Sequence, residues 1–284
     1  MIDFHTHPVM IKELLERDPE LEKNIHEVFG FHFPAQPLEI FQREMDAAGV
    51  EQAVLLPVDA TTAHGCRIVS NEQIAELVDM EPRFIGFASV DPCQPDAPRR
   101  LEIAVRELGL KGLKLDPSLQ QFWPNDKQVA FPIFQACGDL GIPVLLHCGL
   151  SWVPSGQAQY AQPLLLEQAL MAFPRVNFVL AHFGWPWVNE VVMLAVKYRN
   201  VYLDTSILYS GTPRDTYRRV LAGQVGLEVI ERSLADRILF GTNYPRIDMR
   251  RCVRGLQDLG LSPAALEAIG RGNARRLLGL ETGK

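Results

Sequence analysis

Short apolar runs rich in β-branched residues recur along the chain, and segments in which apolar residues return every three or four positions separate most of them. Runs that are apolar on both faces are typical of buried parallel strands, and the three-to-four spacing is typical of amphipathic helices. Eight strand-like runs are present, at residues 2–7, 52–58, 84–90, 110–115, 143–147, 177–182, 201–206 and 238–242. Strands that alternate with helices pair in parallel, and eight such units close into a barrel. We therefore predict an α/β fold, a (β/α)8 TIM barrel formed by one domain, residues 1–284.

Residues typical of helix ends support this division. Gly49, Gly109 and Gly141 stand where a helix must end before the next strand, which suits a left-handed residue. Ser262 and Pro263 begin the last helix with an N-cap and a proline in the first turn. No internal repeat, low-complexity tract or long polar linker interrupts the pattern, so we expect no domain boundary.

Three longer segments, residues 8–37, 116–130 and 149–163, follow the first, fourth and fifth predicted strands. In a barrel such loops lie on the C-terminal face, where active sites of this fold are built. All three are rich in aromatic residues, including Trp123 and Trp152. We predict that at least one of these loops lines or covers the site.

The composition narrows the choice of partners. The chain is 47% hydrophobic and 22% charged, with a formal net charge of −6 and no basic block, which argues against nucleic-acid and membrane partners. Its five cysteines are odd in number and show no C-x-x-C spacing, as expected of buried thiols in a reducing compartment. The first strand begins at residue 2, and no apolar run approaches the roughly 18 residues of a membrane span. A cytoplasmic protein with a small-molecule substrate is the expectation, and the aromatic loops make a homodimer reasonable.

Histidines end three of the predicted strands. His5 and His7 close the first strand two residues apart, so both side chains project to one side. His147 and His182 close the fifth and sixth strands, and Asn243 follows the eighth. All five side chains therefore reach the same rim of the barrel, and imidazoles aimed at one point predict a metal site.

This arrangement resembles the amidohydrolase superfamily, whose signature is His-x-His on strand one, His on strands five and six, and Asp on strand eight. Further sequence motifs are similar to those of the "amidohydrolase 2" branch. This branch contains aminocarboxymuconate-semialdehyde decarboxylase-like enzymes and their hydrolase and lactonase relatives. These motifs lie, in the same order as in the family, at residues 112–117, 119–126, 181–187 and 201–206.

The resemblance implies roles for the four histidines. His5, His7 and His147 would bind one divalent metal ion, with zinc favoured and manganese as the alternative, and an open position left for water. Such a metal activates water and polarises a substrate carbonyl. His182 would act beside the metal as a general acid or base.

Asn243 departs from the family pattern, because the family has an aspartate that contacts the metal and takes the proton of the attacking water. An amide oxygen can coordinate a cation, but it is neutral and cannot serve as a base at neutral pH. Three explanations stay open: a substitution made to trap substrate or product, a natural variant in which His182 alone handles protons, or a barrel that no longer catalyses. Asp204 and Asp116 could offer a substitute carboxylate, although Asp204 suits an outer hydrogen-bonding role better.

Six residues are candidates for substrate binding. Lys114 lies on strand four, where other branches of the superfamily carry a carboxylated lysine between two metals. The branch resembled here is usually mononuclear, so we interpret Lys114 as a structural or substrate-facing charge. Arg246 could pair with a substrate carboxylate, as could Arg67. The aromatic candidates are Trp123, Trp152 and Trp185.

The leading functional hypothesis is therefore a metal-dependent hydrolase of a small carboxylated or cyclic ester or amide, such as a lactone. The first alternative is a non-oxidative decarboxylase of an unsaturated or aromatic acid, because the same barrel and metal support that reaction. The second is a catalytically silent barrel, because Asn243 replaces the family's aspartate.

Overall fold

A computed structural model of the chain describes residues 1–207 and 211–280. Within these ranges, eight parallel strands follow one another around a barrel, in agreement with the prediction. They span Ile2–Thr6, Gln52–Leu55, Phe84–Gly86, Leu113–Leu115, Val144–Leu146, Phe178–Leu180, Val201–Asp204 and Ile238–Leu239. A short antiparallel hairpin, Val58–Ala60 paired with Cys66–Ile68, follows the second strand and was not predicted.

Backbone hydrogen bonds close the strands into a ring. Regular pairing gives one sheet of the first three strands and one of the last five. The Lys114 amide donates to the carbonyl of Ala88 at 2.7 Å, which joins the third strand to the fourth. The Phe4 amide donates to the carbonyl of Phe240 at 2.8 Å, which joins the first strand to the end of the eighth. The predicted (β/α)8 barrel is therefore confirmed.

Helices surround the barrel and close its ends. The α-helices span Lys12–Leu15, Pro19–Glu27, Leu38–Ala48, Thr61–His64, Asn71–Met80, Ala97–Arg106, Pro117–Gln120, Phe131–Leu140, Glu167–Ala172, Val188–Lys197, Pro213–Tyr217, Leu227–Val229, Met249–Gln257, Pro263–Glu267 and Asn273–Leu278. The 3-10 helices span Ala158–Ala161, Pro163–Leu166 and Ala181–Gly184, and π-helical turns span Arg218–Val225, Ile230–Leu234 and Ala268–Gly272. In the described part of the chain, none of these helices has the length and apolar character of a membrane span.

The predicted helix ends are present. Gly49 and Gly141 follow their helices with φ of 69° and 68°, and Gly109 has φ of 71°. The left-handed region lets the chain reverse direction toward the next strand without the steric cost that a Cβ would add. Ser262 caps the last predicted helix, because its hydroxyl accepts the amide hydrogen of Ala265 at 3.3 Å.

Strand alternation separates two apolar layers. Leu113 and Leu115 belong to the outer layer, which packs between the strands and the helices. An inner cluster fills the barrel with side chains from the other seven strands and with Ala274 of the last helix. Lys114 faces inward from the fourth strand, because it pairs with the inward-facing Leu145.

A bulge in the first strand decides which residues face the barrel interior. Asp3 pairs with Ala53 and Thr6 with Leu55, so two residues of the first strand oppose one of the second. Without the extra residue, His5 and His7 would share the outward face of Asp3. The bulge turns both imidazoles to the inside, where they join the other site residues.

The three long segments after strands one, four and five are less irregular than expected. Residues 8–37 contain two helices, residues 116–130 contain one, and residues 149–163 contain a 3-10 turn. Hydrogen bonds hold the last segment against its surroundings: the Leu150 amide donates to the Trp185 carbonyl at 2.8 Å, and the Gln157 amide to the Ser118 carbonyl at 3.1 Å.

Candidate active site

The four strand-end histidines and Asn243 meet at the C-terminal rim of the barrel, and all are buried. The Nε2 atoms of His5 and His7 lie 3.3 Å apart. The His182 ring lies between two others, with its centroid 4.8 Å from that of His5 and 4.7 Å from that of His147. Side chains from four strands thus share one small volume.

Two of these residues have a strained backbone. His182 has φ of 60° and Asn243 has φ of 61°, in the left-handed region that few residues other than glycine adopt. Asparagine tolerates this region better than most residues. The Asn243 amide donates to the His5 carbonyl at 2.8 Å, and the His182 amide donates to Asp204 Oδ1 at 2.8 Å. These bonds hold both side chains at the rim in conformations typical of functional sites.

The hydrogen bonds of His5 and His7 fix their tautomers. His5 Nδ1 lies 2.8 Å from Asp204 Oδ2, and His7 Nδ1 lies 2.9 Å from the carbonyl oxygen of Leu56. Because a carboxylate and a carbonyl only accept, both Nδ1 atoms must carry the hydrogen. Both Nε2 atoms therefore present bare lone pairs to each other, which is unfavourable unless a cation lies between them.

The same reasoning fixes His147 and His182. His182 Nδ1 donates to the carbonyl of Ser206 at 2.8 Å, so its Nε2 is an acceptor. That acceptor lies 3.1 Å from His147 Nδ1, which must be the donor. His147 Nε2 is then bare, and it is buried without a hydrogen-bond partner.

The donor atoms of this set are of the kind that bind a divalent cation. Three bare imidazole nitrogens, from His5, His7 and His147, are the donors that zinc prefers, and Asn243 Oδ1 is buried nearby without a partner. Two nitrogens bound about 2.0–2.1 Å from one tetrahedral ion lie roughly 3.3–3.4 Å apart. The 3.3 Å between His5 and His7 matches that spacing.

Among the described residues, the histidines and carboxylates whose ligand atoms all lie within 4.8 Å of one another are His5, His182 and Asp204, a combination that does not include His7 or His147. Its atoms are already engaged with each other and with their neighbours. Asp204 Oδ2 accepts from His5, and Oδ1 accepts from the His182 amide and from the amide and hydroxyl of Ser206, at 2.8, 2.8, 3.0 and 2.5 Å. Asp204 is therefore better explained as the outer partner that orients His5.

A cavity of about 30 Å³ opens onto this cluster. It is lined by His7, Phe29, Lys114, Asp116, His147, Ser151, Trp152, Val153, His182, Asn243 and Arg246. This volume holds only a few atoms, so a larger substrate requires the cavity to widen.

Burial dominates the electrostatics of the site. It lowers the pKa of His147 to about 3 and holds the pKa values of His5, His7 and His182 well below their ordinary range. The imidazoles are therefore neutral, as metal ligands must be.

Lys114 and Asp116 are two ionisable side chains of the inner wall that influence each other electrostatically without forming an ion pair. Burial lowers the pKa of Lys114 to about 8, with the nearby Asp116 and Asp204 opposing this shift, so the ammonium is largely retained at neutral pH. Burial raises the pKa of Asp116, and Lys114 opposes that shift.

Arg246 lines the cavity and is held by the first loop. Its guanidinium donates to the Phe29 carbonyl at 2.7 Å and lies 5.0 Å from the Phe29 ring and 5.5 Å from the Phe31 ring. Trp152 also lines the cavity, with 57% of its surface exposed.

Three other candidates lie elsewhere in the structure. Trp123 and Trp185 are absent from the described lining of this cavity, and Trp123 packs against Tyr160 with ring centroids 4.6 Å apart. Arg67 pairs with Asp59 at 3.1 Å and lines a separate cavity. Trp185 contacts the histidine cluster through its backbone, since its amide donates to the His182 carbonyl at 3.2 Å.

Sequence reasoning missed Ser206. Its hydroxyl lies 3.1 Å from His5 Nδ1 and 2.9 Å from His182 Nδ1, so it links the two rings to Asp204. The signal was present, because Asp204 and Ser206 are two residues apart at the end of a strand and share a side.

Comparison with known proteins identifies a family and several relatives. A model of the family described as "Amidohydrolase" matches residues 2–280. A γ-resorcylate decarboxylase of Polaromonas sp. is 25% identical over 287 residues, covering 84% of this chain and 86% of that protein.

Two solved structures superpose on the barrel. An uncharacterised TIM-barrel protein from Bordetella bronchiseptica is 27% identical, with a TM-score of 0.77 and 98% of each chain covered. A dihydroxybenzoic acid decarboxylase from Polaromonas sp. JS666, with bound manganese and the inhibitor 2-nitroresorcinol, is 23% identical, with a TM-score of 0.70 and coverage of 99% and 97%. The likeness therefore extends over nearly the whole chain.

Proposed function

The chain belongs to the amidohydrolase family, and from this premise we propose that it is a metal-dependent enzyme that removes CO2 from a small carboxylic acid. The observation that supports the metal centre is the set of three bare imidazole nitrogens, on His5, His7 and His147, beside the unpartnered oxygen of Asn243. When bound there, a divalent cation supplies Lewis-acid polarisation of a substrate oxygen. Zinc suits the imidazoles, and manganese is the ion named in the structure of the Polaromonas decarboxylase.

Asn243 is the reason for preferring decarboxylation to the hydrolysis that the sequence first suggested. Hydrolysis requires a base that takes the proton of an attacking water, and an amide cannot do this. Decarboxylation requires the opposite: the substrate carbon gains a proton, the bond to the carboxylate breaks, and its electron pair stays on the carbon as CO2 leaves. The Polaromonas relative that matches 84% of this chain is itself named as a decarboxylase, which agrees with this choice.

His182 is the residue that we assign to proton transfer. It lines the cavity, and its ring lies between His5 and His147. The carbonyl and hydroxyl of Ser206 hold its Nδ1, at 2.8 and 2.9 Å, and so fix the orientation of the ring. Because its Nε2 carries no hydrogen, His182 would first take up a proton from the solvent at Nε2 and then pass it to the substrate carbon, and the fixed orientation of the ring serves this transfer.

Hydrolysis of an ester or lactone is the second candidate, and one observation favours it. His182 is neutral, because burial lowers its pKa, and a neutral imidazole is a competent base. A homodimer and a cytoplasmic location stay predictions.

The two reactions are separated by their products. Protein loaded with manganese or zinc is incubated with hydroxybenzoates, unsaturated dicarboxylic acids, esters and lactones, and release of CO2 and of acid is followed in parallel. We expect CO2 from at least one acid. Acid release from an ester or lactone without CO2 from any acid would favour the second candidate. If neither CO2 nor acid is released, the result would contradict an enzymatic role.

The metal ligands are tested in the same samples with His147→Ala and, as a matched control, His32→Ala on the exposed surface. Loss of a ligand should weaken metal binding by more than the roughly 10–100-fold that outer partners cost, and activity should fall with it. The control should bind metal like the unmodified protein. Equal metal content in all three proteins would contradict the assignment.

A further inference from the structure

We propose that Lys114 is the residue that binds the carboxylate of the substrate, so that the site selects anionic acids over their neutral esters and amides. This inference rests on the proposed function and adds to it the residue that determines specificity. Its basis is the position of Lys114, its surroundings and the hydrogen bonds of the groups around it.

Lys114 is placed where a charged side chain is costly. It faces the inside of the barrel, next to the apolar Leu145, and only 1% of its surface is exposed. The other seven strands contribute apolar residues to that interior. A lysine in such a place destabilises the fold unless its charge has a partner, so its presence requires an explanation.

Within the described ranges, residues 1–207 and 211–280, no hydrogen bond or ion pair joins the Lys114 ammonium to another side chain. The carboxylates of Asp116 and Asp204 favour the charged ammonium electrostatically, but the hydrogen bonds they accept come from other groups: Asp116 Oδ1 accepts the Leu119 amide at 3.1 Å, and Asp204 Oδ2 accepts from His5 at 2.8 Å. Lys114 nevertheless lines the cavity. A group with three donors and no acceptor, directed at a cavity, is completed by an anionic ligand.

Arg246 is the competing cation, and the structure gives it a different task. Its contacts with the carbonyl and ring of Phe29 and with the ring of Phe31 attach the strand-eight rim to the first loop. Lys114 has no such structural contact. The anionic part of the ligand is therefore assigned to Lys114, next to the imidazoles of His7 and His147, which line the same cavity.

The test compares acids with their amides on manganese-loaded protein by isothermal titration calorimetry. One pair is acetate and acetamide, which are small enough for the cavity, and the other is 2,6-dihydroxybenzoate and 2,6-dihydroxybenzamide. The variant is Lys114→Met, which keeps the length of the side chain and removes its charge. The matched control is Lys111→Met, three residues away on the exposed surface.

We expect the unmodified protein and Lys111→Met to prefer the acid in at least one pair. In Lys114→Met, affinity for that acid should fall about 10- to 100-fold, as expected when a hydrogen bond to a charged group is lost, while affinity for the amide stays within about twofold. Manganese content, measured on the same samples, should equal that of the control.

The other outcomes separate the two ideas. Absence of manganese uptake by the unmodified protein would count against the proposed function itself. Manganese uptake without preference for either acid, or with no binding of either, would overturn the role of Lys114 and leave the metal centre standing. If Lys114→Met still prefers the acid to the amide, the role of Lys114 is likewise overturned and the metal centre is unaffected.

Discussion

Replacing Asn243 with aspartate tests the metal centre, because the change should lower the stability of the metal-free protein and increase the stabilisation that metal gives. In the part of the chain that the structure describes, no hydrogen bond engages the Asn243 side chain, and its oxygen is buried without a partner. The exchange therefore breaks no hydrogen bond. Its φ of 61° suits aspartate as well as asparagine, so the backbone should not change.

Without metal, the new carboxylate should destabilise the fold. It would be buried in a rim that already holds Asp204 and Asp116, with Lys114 as the nearest buried cation of the cavity wall. Protonating a carboxyl with an ordinary pKa near 3.9 costs about 4 kcal/mol at pH 7. If burial of the charge costs more than this, the carboxyl becomes protonated, so the loss of stability cannot exceed about 4 kcal/mol. We expect a loss of about 2–4 kcal/mol in the metal-free protein.

With metal, the same carboxylate should bind the cation more tightly than the amide does. A gain of about 10- to 100-fold in affinity corresponds to about 1.4–2.7 kcal/mol, and an excess of metal adds the same amount to the free energy of unfolding. Stability of both proteins is measured by urea denaturation with a chelator and with saturating manganese or zinc. Metal should stabilise Asn243→Asp by about 1.4–2.7 kcal/mol more than the unmodified protein.

Asn200→Asp is the matched control, since Asn200 is also buried but donates its amide hydrogens to the carbonyls of Phe173 and Val176 at 3.2 and 3.0 Å. A carboxylate there would oppose those carbonyls, and metal should not restore the lost stability. Equal stabilisation by metal in Asn243→Asp and in the unmodified protein would refute the placement of the metal beside Asn243. Activity that appears or rises in Asn243→Asp would further indicate that the amide limits the reaction.

Three further changes test other parts of the molecule. Asp204→Ala removes four hydrogen bonds at the rim. We expect the free energy of unfolding in urea to fall by about 3–5 kcal/mol and metal binding, measured by calorimetry, to weaken about 10- to 100-fold. Unchanged metal affinity would contradict the role of Asp204 in orienting His5. Hydrogen bonds from Arg83 hold the pKa of Glu81 below its ordinary 4.5, so the stabilisation is present above pH 4.5 and is lost as pH falls through the lower folded-state pKa. Glu81→Gln should therefore cost about 1–3 kcal/mol at pH 7 and less in acid, and an equal cost at both pH values would refute this. Gly149→Ala would place a Cβ 2.2 Å from a carbonyl oxygen, whereas the Cβ of the control Gly49→Ala meets nothing within 4 Å. Thermal denaturation should therefore show a loss in the free energy of unfolding of about 3 kcal/mol or more for Gly149→Ala and of about 1 kcal/mol for Gly49→Ala. Equal losses would contradict the packing of the fifth loop.

Much of the fold was predictable because its signals are local. Each inward or outward position of a buried strand must be apolar, so runs such as Phe178–Leu180 are visible without any partner. Helix ends at Gly49 and Ser262 depend on single residues and were predicted correctly. The hairpin Val58–Ala60 with Cys66–Ile68 was missed, because its strands are only three residues long and the first follows the second barrel strand almost directly.

The site was predictable as a set of residues but not as a geometry. Sequence spacing places His5 and His7 on one side of a strand, and the structure brings both to His147 and His182. Which nitrogen faces the metal depends on acceptors far along the chain, such as the Leu56 carbonyl and the Asp204 carboxylate. No spacing rule identifies such partners, and the sequence gives no measure of how far the loops reduce the cavity.

The bulge in the first strand shows why the ligand pair needs more than its own spacing. A regular strand would place His5 and His7 on the face of Asp3, which is bonded to Thr242 outside the barrel lumen. The register shift between Asp3 and Thr6 reverses that parity and keeps Phe4 packed inside, 5.6 Å from Phe87. One extra residue thus lets a single strand support the apolar core with its first half and the metal centre with its second. It also follows that the metal centre depends on the pairing of this strand with its neighbours as much as on the histidines themselves.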